Sequence, residues 1–332
     1  MNVAVITEYN PFHAGHAEQI ARAKAAGAST ITAFMSGNTV QRGSFAVYDK
    51  HDRAKTAIEN GANLVIALPA TVSLAPARDF AAGAVDMIKA MGIHDTLVFG
   101  AESDSLQALH QAAAFTPDKS QQTPEMSYPS FLQQQMEYAG IDTKLTPNNI
   151  LAVEYLRALS GSDIKPLLIP RVSEHSAHAK RERIYAQKPL PAGTFNFEKV
   201  ETAAFLKLET CQNWHTLPYL EDGLANRLQQ AARGASSVED FLQKAKCKRY
   251  TMARLKRILM CMLLDITPTD NTLPKYAHVL AYDDKGQKLL AKARKTSEIP
   301  LSPNFENLAK TSQRLAEIER TVNLWYKAGV TN

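Results

Sequence analysis

The chain has 332 residues, of which 38 are lysine or arginine and 33 are aspartate or glutamate, giving a formal net charge of +5. This composition excludes a disordered or fibrous protein, and the length is enough for two domains. No apolar run reaches about 18 residues, so we expect no membrane span. Three widely spaced cysteines form no C-x-x-C pair and predict no disulfide framework, so we expect a cytoplasmic protein.

Strand and helix patterns alternate over the first half of the chain. The strand candidates are residues 3–6, 29–35, 63–68, 96–99 and 164–169, and helix candidates lie at 17–26, 49–60, 78–91, 131–138 and from 147 onward. Gly61 and Gly92 follow two of these helices, as is common after a helix end. The alternation predicts an α/β fold, a Rossmann-like parallel sheet covered by helices on both faces.

The second half of the chain changes in composition after a Pro/Gly-rich stretch at 189–193, where we place a linker. We therefore expect one domain over 1–190 and a second, mostly α-helical and basic domain over 191–332. Its helix candidates are 200–208, 222–232, 237–245 and 251–264, and a short strand pattern at 279–282 leads into a basic helix that reaches 295.

Two histidines lie where the first strand ends and the first helix begins. His13, Gly15 and His16 follow Asn10-Pro11, which ends the strand because proline has no N–H for the sheet. A helix N-terminus with a nearby glycine suits a phosphate, and imidazoles can donate to a triphosphate and to the charge that develops when its α-phosphorus is attacked. The alternatives are a solvated turn and a metal site, but no cysteine or carboxylate lies at ligand spacing nearby, so we expect no metal ligands.

Three loops follow predicted parallel strands: the histidine turn, residues 36–43 and residues 100–103. Ligands of open α/β sheets bind where the strands end, so we expect these loops to meet there. Each loop alone is more commonly a simple connection. A serine at a predicted helix start, Ser176, with Arg181 one turn later, can hold phosphates from the opposite side, or can belong to a capped surface helix.

A basic run in the second half contains no acid and has Tyr250 in its middle. Its members are Lys244, Lys246, Lys248, Arg249, Arg254, Lys256 and Arg257. Such a run neutralises phosphates, so it favours nucleic-acid binding, and the alternative is a solvated helix face.

The H-x-G-H pattern resembles the signature of the nucleotidyltransferase superfamily. With residues 8–13 in front of it, the stretch more narrowly resembles the bacterial tRNA(Met) cytidine acetate ligases. Nearly the whole chain shares this resemblance. The further similar stretches are 36–38, 41–43, 49–50, 53–54, 60–66, 68–69, 99–100, 102–103, 147–151, 248–251 and 254–255.

The resemblance implies a nucleotidyltransferase-like catalytic domain over 1–190 and a tRNA-binding domain over 191–332. It implies that ATP, with Mg²⁺, activates acetate as acetyl-AMP, and that the acetyl group passes to N4 of the wobble cytidine of elongator tRNA(Met). A rival function is nucleotidyl transfer to a small phosphate ester without RNA. A second rival is an RNA-binding relative with weakened catalysis.

The site residues that we predict fall into three groups. The catalytic candidates are His13, His16 and Lys50. The ATP-binding candidates that the resemblance implies are Ile6, Thr7, Glu8, Tyr9, Asn10, Pro11, Phe12, His13, Gly15, His16, Gln19, Gly100, Arg171 and an asparagine of the pair Asn148 and Asn149. Ser176 and Arg181 complete this group. The tRNA-binding candidates are the seven cations of the basic run. For Asn148 and Asn149, helix capping is an equal alternative to ligand contact.

The chain departs from the resemblance at three places. His178 stands where the superfamily's late phosphate motif usually has threonine, the segment between Arg171 and Ser176 is shortened, and His51 replaces an aromatic residue after Asp49-Lys50. The altered segment from Ser176 to Arg181 is the main support for an RNA-binding relative with weakened catalysis.

Overall fold

The computed structural model describes residues 1–332 except 122, 124, 125, 127, 172–176, 222, 273 and 274. The strands are β1 (Asn2–Thr7), β2 (Thr30–Ser36), β3 (Thr39–Val40), β4 (Ser44–Phe45), β5 (Leu64–Leu68), β6 (Thr96–Ala101), β7 (Lys165–Pro170), β8 (Ala277–Tyr282) and β9 (Leu301–Ser302). The helices are α1 (Ala14–Ala25), α2 (Lys50–Glu59), α3 (Ala70–Ser73), α4 (Ala77–Met91), α5 (Leu106–Ala114), α6 (Tyr128–Tyr138), α7 (Pro147–Leu159), α8 (Ala177–Tyr185), α9 (Glu201–Glu209), α10 (Leu224–Arg233), α11 (Val238–Ala245), α12 (Met252–Leu263), α13 (Asp284–Thr296), α14 (Phe305–Ala309) and α15 (Gln313–Gly329).

The main sheet has the order β7-β6-β1-β2-β5-β8-β9 among the described residues. β7, β6, β1, β2 and β5 are parallel, with Val5 opposite Ala33 on one side and Val98 on the other. The chain leaves β1 toward β2 and later returns on the other side as β6, so the strand order reverses at β1, and ligands of open α/β sheets bind at such a point. This topology confirms the predicted parallel α/β fold. We call the side on which the parallel strands end the carboxyl edge.

Side chains of the parallel strands alternate between two buried faces. Val5 packs on one face with Ile20 of α1 and Ala54 of α2. Phe34 packs on the other face with Ile88 of α4, in a cluster that also includes α7. Because both faces are covered, the strands are apolar throughout, which is why the sequence shows continuous apolar runs there rather than strict alternation.

A second apolar core lies among helices α9 to α12 and α15. Leu228, Phe241 and Ile258 are buried there, and the same cluster includes Phe45 of β4 and Leu74, which follows α3. The helical part therefore packs directly on the loops of the carboxyl edge. No helix among the described residues is long and apolar enough to span a membrane.

Helix α15 contacts three carboxyl-edge loops with one face. The Glu319 carboxylate accepts from the Ala70 amide at 2.6 Å, the Asn323 side chain accepts from Asn38 at 3.4 Å, and the Tyr326 hydroxyl donates to the Val47 carbonyl at 3.4 Å. Residues 319, 323 and 326 share a face because helical neighbours recur every three or four positions. This helix was not among the helices that we predicted.

The second half of the chain also adds to the sheet. β8 pairs antiparallel with β5, and β9 pairs parallel with β8, so two strands that follow residue 191 extend a sheet begun before residue 190. The short strand pattern at 279–282 is confirmed, but its place in the main sheet was not anticipated. The division into domains 1–190 and 191–332 stays a prediction.

A buried histidine gives the fold a pH dependence. Both ring nitrogens of His94 are buried, its ring lies 5.3 Å from that of Phe34, and burial lowers the pKa of His94 to about 4. The unfolded chain takes up this proton below pH of about 6.5 and the folded chain does not, so acid favours unfolding. We expect His94→Gln to reduce the loss of unfolding free energy between pH 6.5 and 4.

The measurement for this prediction is urea unfolding at a series of pH values. Each proton taken up only by the unfolded chain contributes a slope of about 1.4 kcal/mol per pH unit. His110→Gln is the matched control, because it removes an exposed histidine from α5. Equal slopes for His94→Gln and the unsubstituted protein would contradict the prediction. Some slope remains in both, because burial also lowers the pKa of His278 to about 4.

Candidate active site

The histidine turn caps the first helix with its own side chains. His13 is the N-cap of α1, and its Nδ1 accepts from the Gly15 amide at 3.1 Å. The Nδ1 of His16 accepts from the His13 amide at 3.3 Å. The two rings stack with centroids 3.7 Å apart. Because His13 caps the helix, α1 begins at Ala14, three residues before the predicted start.

These hydrogen bonds set which ring nitrogen carries the proton. A neutral imidazole whose Nδ1 accepts must carry its hydrogen on Nε2, so a neutral His16 has an Nε2–H donor. Burial holds the pKa of His16 well below its usual range, and His13, Arg171 and Lys180 lower it further. His16 is therefore a neutral donor at pH 7, surrounded by cations that suit an anionic ligand.

Aromatic packing holds His16 in place. Tyr9 is fully buried at a positive φ of 43°, and its ring lies 4.9 Å from that of His16 and 4.8 Å from that of Phe12. The Asn10 side chain accepts from the Val47 amide at 2.8 Å. These residues, with buried Pro11, shape the turn.

The end of β1 is tied to the neighbouring loops. Ile6 and Thr7 are its last residues, and the Glu8 carboxylate accepts from the Gln41 amide at 2.9 Å. The carbonyls of Asn10 and Phe12 accept from Arg181 at 2.7 Å and from Lys180 at 2.6 Å. Two cations of α8 thus brace the turn that bears the histidines.

Gly100 brings three predicted ATP-binding residues together. A Cβ at Gly100 would lie 3.2 Å from Cγ of Arg171 and 3.5 Å from Nε2 of Gln19. Gln19 belongs to α1, Gly100 to β6, and Arg171 follows β7. The ends of β1 and β6 therefore bring a cationic and a hydrogen-bonding side chain close to the glycine backbone, a combination that suits a phosphate.

The predicted asparagines meet a carboxylate at the next turn. Glu102 accepts from Thr146 at 2.7 Å, from the Asn148 side chain, and from the Asn149 amide at 3.1 Å. Burial opposes ionisation of Glu102, but the hydrogen bonds from Thr146 and Asn148 and the charge of Arg171 lower its pKa overall.

Neither asparagine is the N-cap of α7, which is Thr146. Asn149 is buried, and its side chain accepts from the Ser103 amide at 3.0 Å and donates to the Lys144 carbonyl at 2.8 Å. Both asparagines therefore organise the turn after β6 in this structure, and their contact with ATP stays a prediction.

Only part of the predicted phosphate motif at the start of helix α8 lies among the described residues, and its side chains contact protein groups. Ser176 lies outside the described residues. His178 is exposed and lies 3.3 Å from Glu182, so its ring faces a carboxylate of its own helix. The Arg181 guanidinium donates to the Asn10 carbonyl, so Arg181 lies beside the histidine turn and stabilises it.

Lys50 lies on another part of the carboxyl edge. It is buried as the first residue of α2, after the N-cap Asp49, and its amide donates to the Asn38 side chain at 2.8 Å. Burial raises the pKa of Glu319, and the charge of Lys50 opposes that rise. Burial lowers the pKa of His278, and the charge of Lys50 lowers it further. Its neighbours thus lie by β5 and β8, whereas the histidines lie by β1 and β6. The catalytic role of Lys50 stays a prediction.

Acids outside the basic run partly neutralise it. Lys244 pairs with Asp240 at 2.7 Å, and Glu221 pairs with Arg249 at 3.2 Å and with Arg254 at 2.7 Å. Arg257 donates to the Gln41 carbonyl at 3.3 Å, and Lys256 beside it is half-buried. Lys246 and Lys248 are exposed. RNA binding by this run stays a prediction, and these last two lysines have the most accessible charges.

Sequence reasoning gave no role to Arg53, although its contacts join the site loops. Its buried guanidinium donates to the carbonyls of Tyr48 at 2.9 Å, Glu8 at 2.6 Å, Ser36 at 3.1 Å and to that of Gly37. A signal was present in the sequence: residues 50, 53, 54 and 57 have the spacing of one buried helix face, so position 53 places a cation on an inward stripe of alanines.

Comparison with known proteins supports the class to which this site belongs. The family model described as HIGH Nucleotidyl Transferase matches residues 1–188 and 187–332. The sheet and the paired histidines thus define a nucleotidyltransferase of the HIGH type. A tRNA(Met) cytidine acetate ligase of Streptococcus uberis is 34% identical over 326 residues, 89% of this chain and 87% of the relative. The chain belongs to the tRNA(Met) cytidine acetate ligase family, which confirms the predicted resemblance.

Other relatives and solved structures agree with this assignment. A tRNA(Met) cytidine acetate ligase of Acetivibrio thermocellus is 30% identical over 376 residues, 93% of this chain and 89% of the relative. The crystal structure of Thermotoga maritima TmcAL bound with alpha-thio ATP is similar with a TM-score of 0.87 and 26% identity, covering 100% of this chain and 95% of that one. An apo structure of the same protein gives a TM-score of 0.86.

Proposed function

We propose that this protein is an ATP-dependent ligase that forms acetyl-AMP from acetate and transfers the acetyl group to N4 of the wobble cytidine of elongator tRNA(Met). The observation that carries the proposal is the stacked pair His13 and His16 at the start of α1, whose Nδ1 atoms accept backbone hydrogen bonds. In the proposed reaction their Nε2–H groups face a phosphate at the carboxyl edge. The names of the relatives support a cytidine of tRNA(Met) as the acceptor, and the ATP analogue bound in the TmcAL structure supports ATP as the nucleotide.

In the first step, a carboxylate oxygen of acetate attacks the α-phosphorus of ATP. An oxygen–phosphorus bond forms, the bond to the β-phosphate oxygen breaks, and pyrophosphate leaves. Acetate is ionised at neutral pH, so the histidines need not remove a proton. Their Nε2–H groups stabilise the charge that develops on the phosphate oxygens. Gly100, Gln19 and Arg171 form the wall against which the nucleotide lies.

Mg²⁺ is the cation that we propose for this step, where it would share the charge of the phosphates. Among the described residues, no group of three or more histidine, cysteine, aspartate or glutamate side chains could hold a metal ion. Oxygens of the triphosphate and water would therefore supply most of its ligands, as is common for Mg²⁺ bound with nucleotides.

In the second step, the N4 amine of cytidine attacks the acetyl carbonyl. A carbon–nitrogen bond forms, the bond between the acetyl carbon and the phosphate oxygen breaks, AMP leaves, and the amine loses a proton to solvent. Anticodon bases lie in a single-stranded loop, which is where proteins reach the edges of RNA bases. We also propose a cytoplasmic location, which a tRNA substrate supports.

The test is incubation with ATP, Mg²⁺ and labelled acetate, with and without total tRNA. We expect labelled acetyl-AMP in both reactions and label in RNA only when tRNA is present, followed by detection of N4-acetylcytidine by nucleoside mass spectrometry. Pyrophosphate release that needs neither acetate nor tRNA would favour transfer to a small phosphate ester. Salt-dependent tRNA binding without ATP turnover would favour an RNA-binding relative without catalysis.

A further inference from the structure

A hairpin at the carboxyl edge joins the nucleotide site to the basic helix α12. Its strands are β3 and β4, and its turn is Gln41-Arg42-Gly43. On one side, the Gln41 amide donates to the Glu8 carboxylate of the nucleotide site at 2.9 Å. On the other side, Gly43 at φ +78° lies so close to α12 that a Cβ would collide with the backbone of Lys256 and Arg257. Arg42 stands between these two contacts.

The backbone of this turn is fixed at several points. The Gly43 amide donates to the Val40 carbonyl at 2.9 Å, which closes the turn. The Gln41 carbonyl accepts from Arg257 at 3.3 Å, and the Val47 amide donates to the Asn10 side chain at 2.8 Å. The base of the Arg42 side chain is therefore held relative to both the histidine turn and α12, while its guanidinium is exposed.

The charge of Arg42 is poorly compensated. The ion pairs among the described residues do not include it. Partial burial lowers the pKa of the Arg181 guanidinium, Glu8 opposes that fall, and the like charge of Arg42 adds to it, so the two arginines repel each other. Arg181 and Lys180 donate hydrogen bonds to the carbonyls of Asn10 and Phe12, which are neutral groups. An anion placed over the turn would relieve this repulsion.

We propose that Arg42 binds an RNA phosphate next to the acceptor cytidine and so positions that base over the acetyl-adenylate. The inference rests on the proposed function and adds to it the residue that aligns the RNA at the catalytic centre. Arginine suits the task because its planar guanidinium forms a two-pronged contact with a phosphate. RNA rather than ATP is the source of this phosphate, because Arg42 is exposed and its turn packs against the basic helix α12. Such a contact orients RNA without reading its sequence.

The test compares Arg42→Ala and Arg42→Lys with Arg294→Ala. Arg294 is exposed on α13, so its replacement removes the same charge elsewhere on the surface. Two readouts separate the steps: acetate-dependent ATP–pyrophosphate exchange without RNA, and binding of unmodified tRNA without ATP at several salt concentrations. The second readout does not depend on catalysis.

For Arg42→Ala we expect exchange within twofold of the unsubstituted protein and tRNA binding about tenfold weaker. The slope of log affinity against log salt should fall by about 0.7, the value for one phosphate contact on a single strand. Arg42→Lys should restore the slope and only part of the affinity, since lysine keeps the charge but lacks the two-pronged contact. Arg294→Ala should change neither readout.

Three outcomes would overturn this inference. Unchanged tRNA affinity and salt slope in Arg42→Ala would show that the residue makes no RNA contact. An equal loss of exchange and of tRNA binding would assign Arg42 to the phosphates of ATP. A loss of tRNA affinity as large in Arg294→Ala would show that tRNA is attracted generally to a basic surface. In contrast, unsubstituted protein that binds tRNA through Arg42 but forms no acetyl-AMP would overturn the proposed ligase activity and leave the contact standing.

Discussion

Replacing His16 with alanine is expected to slow acetate-dependent ATP–pyrophosphate exchange by about 10²–10³. The lost group is an Nε2–H donor whose position is fixed by the His13 amide at 3.3 Å and by stacking on His13. Because the donor acts mainly on charge that develops in the transition state, kcat should fall more than the KM for ATP rises. The measurement is exchange of labelled pyrophosphate into ATP at saturating acetate.

His110→Ala is the matched control for this prediction, since it removes an exposed histidine from α5. Circular dichroism and thermal unfolding should accompany both variants, because His16 also accepts a capping hydrogen bond of α1. A folded His16→Ala variant that exchanges pyrophosphate at the original rate would show that this imidazole takes no part in the reaction.

Replacing Arg53 with methionine is expected to lower the free energy of unfolding by about 3–5 kcal/mol, because several buried carbonyls lose the donor that they share. Methionine fills much of the same space, but it leaves the carbonyls of Glu8, Ser36, Gly37 and Tyr48 without their donor. A buried acceptor without a partner costs about 1–3 kcal/mol. Urea unfolding followed by circular dichroism measures the change.

Two further variants define the origin of that loss. Arg53→Lys should recover only part of the stability, because an ammonium group lacks the forked geometry that reaches several loops. Arg294→Met on the exposed face of α13 should stay within about 0.5 kcal/mol of the original protein, as surface substitutions usually do. An unfolding midpoint unchanged in Arg53→Met would contradict the role that its four carbonyl contacts give it.

The parts of the fold that follow from local patterns were predictable. Each parallel strand is a continuous apolar run next to an amphipathic helix, and those runs predicted β1, β2, β5, β6 and β7 with small differences in their ends. The histidine turn was predictable because strand, proline, glycine and helix formers follow each other within a few residues. Its stacked geometry was not, because ring orientation depends on Tyr9 and Phe12 packing against it.

The parts that depend on distant residues were not predictable from spacing. The basic run has no acid within it, yet Glu221 reaches Arg249 and Arg254 from another loop. β8 joins β5 across more than two hundred residues, and α15 meets the edge loops through Glu319, Asn323 and Tyr326. Periodicity describes which face of an element is buried, but it does not name the partner that covers that face.

The dependence of the edge loops on α15 has a consequence for biosynthesis. The amide of Ala70 has its acceptor on residue 319, and the carbonyl of Val47 has a donor on residue 326. A nascent chain still short of these residues on the ribosome holds the histidine turn but lacks the support behind it. The carboxyl edge is therefore complete only after residue 326 has been translated. Prematurely terminated chains should activate acetate with ATP only slowly.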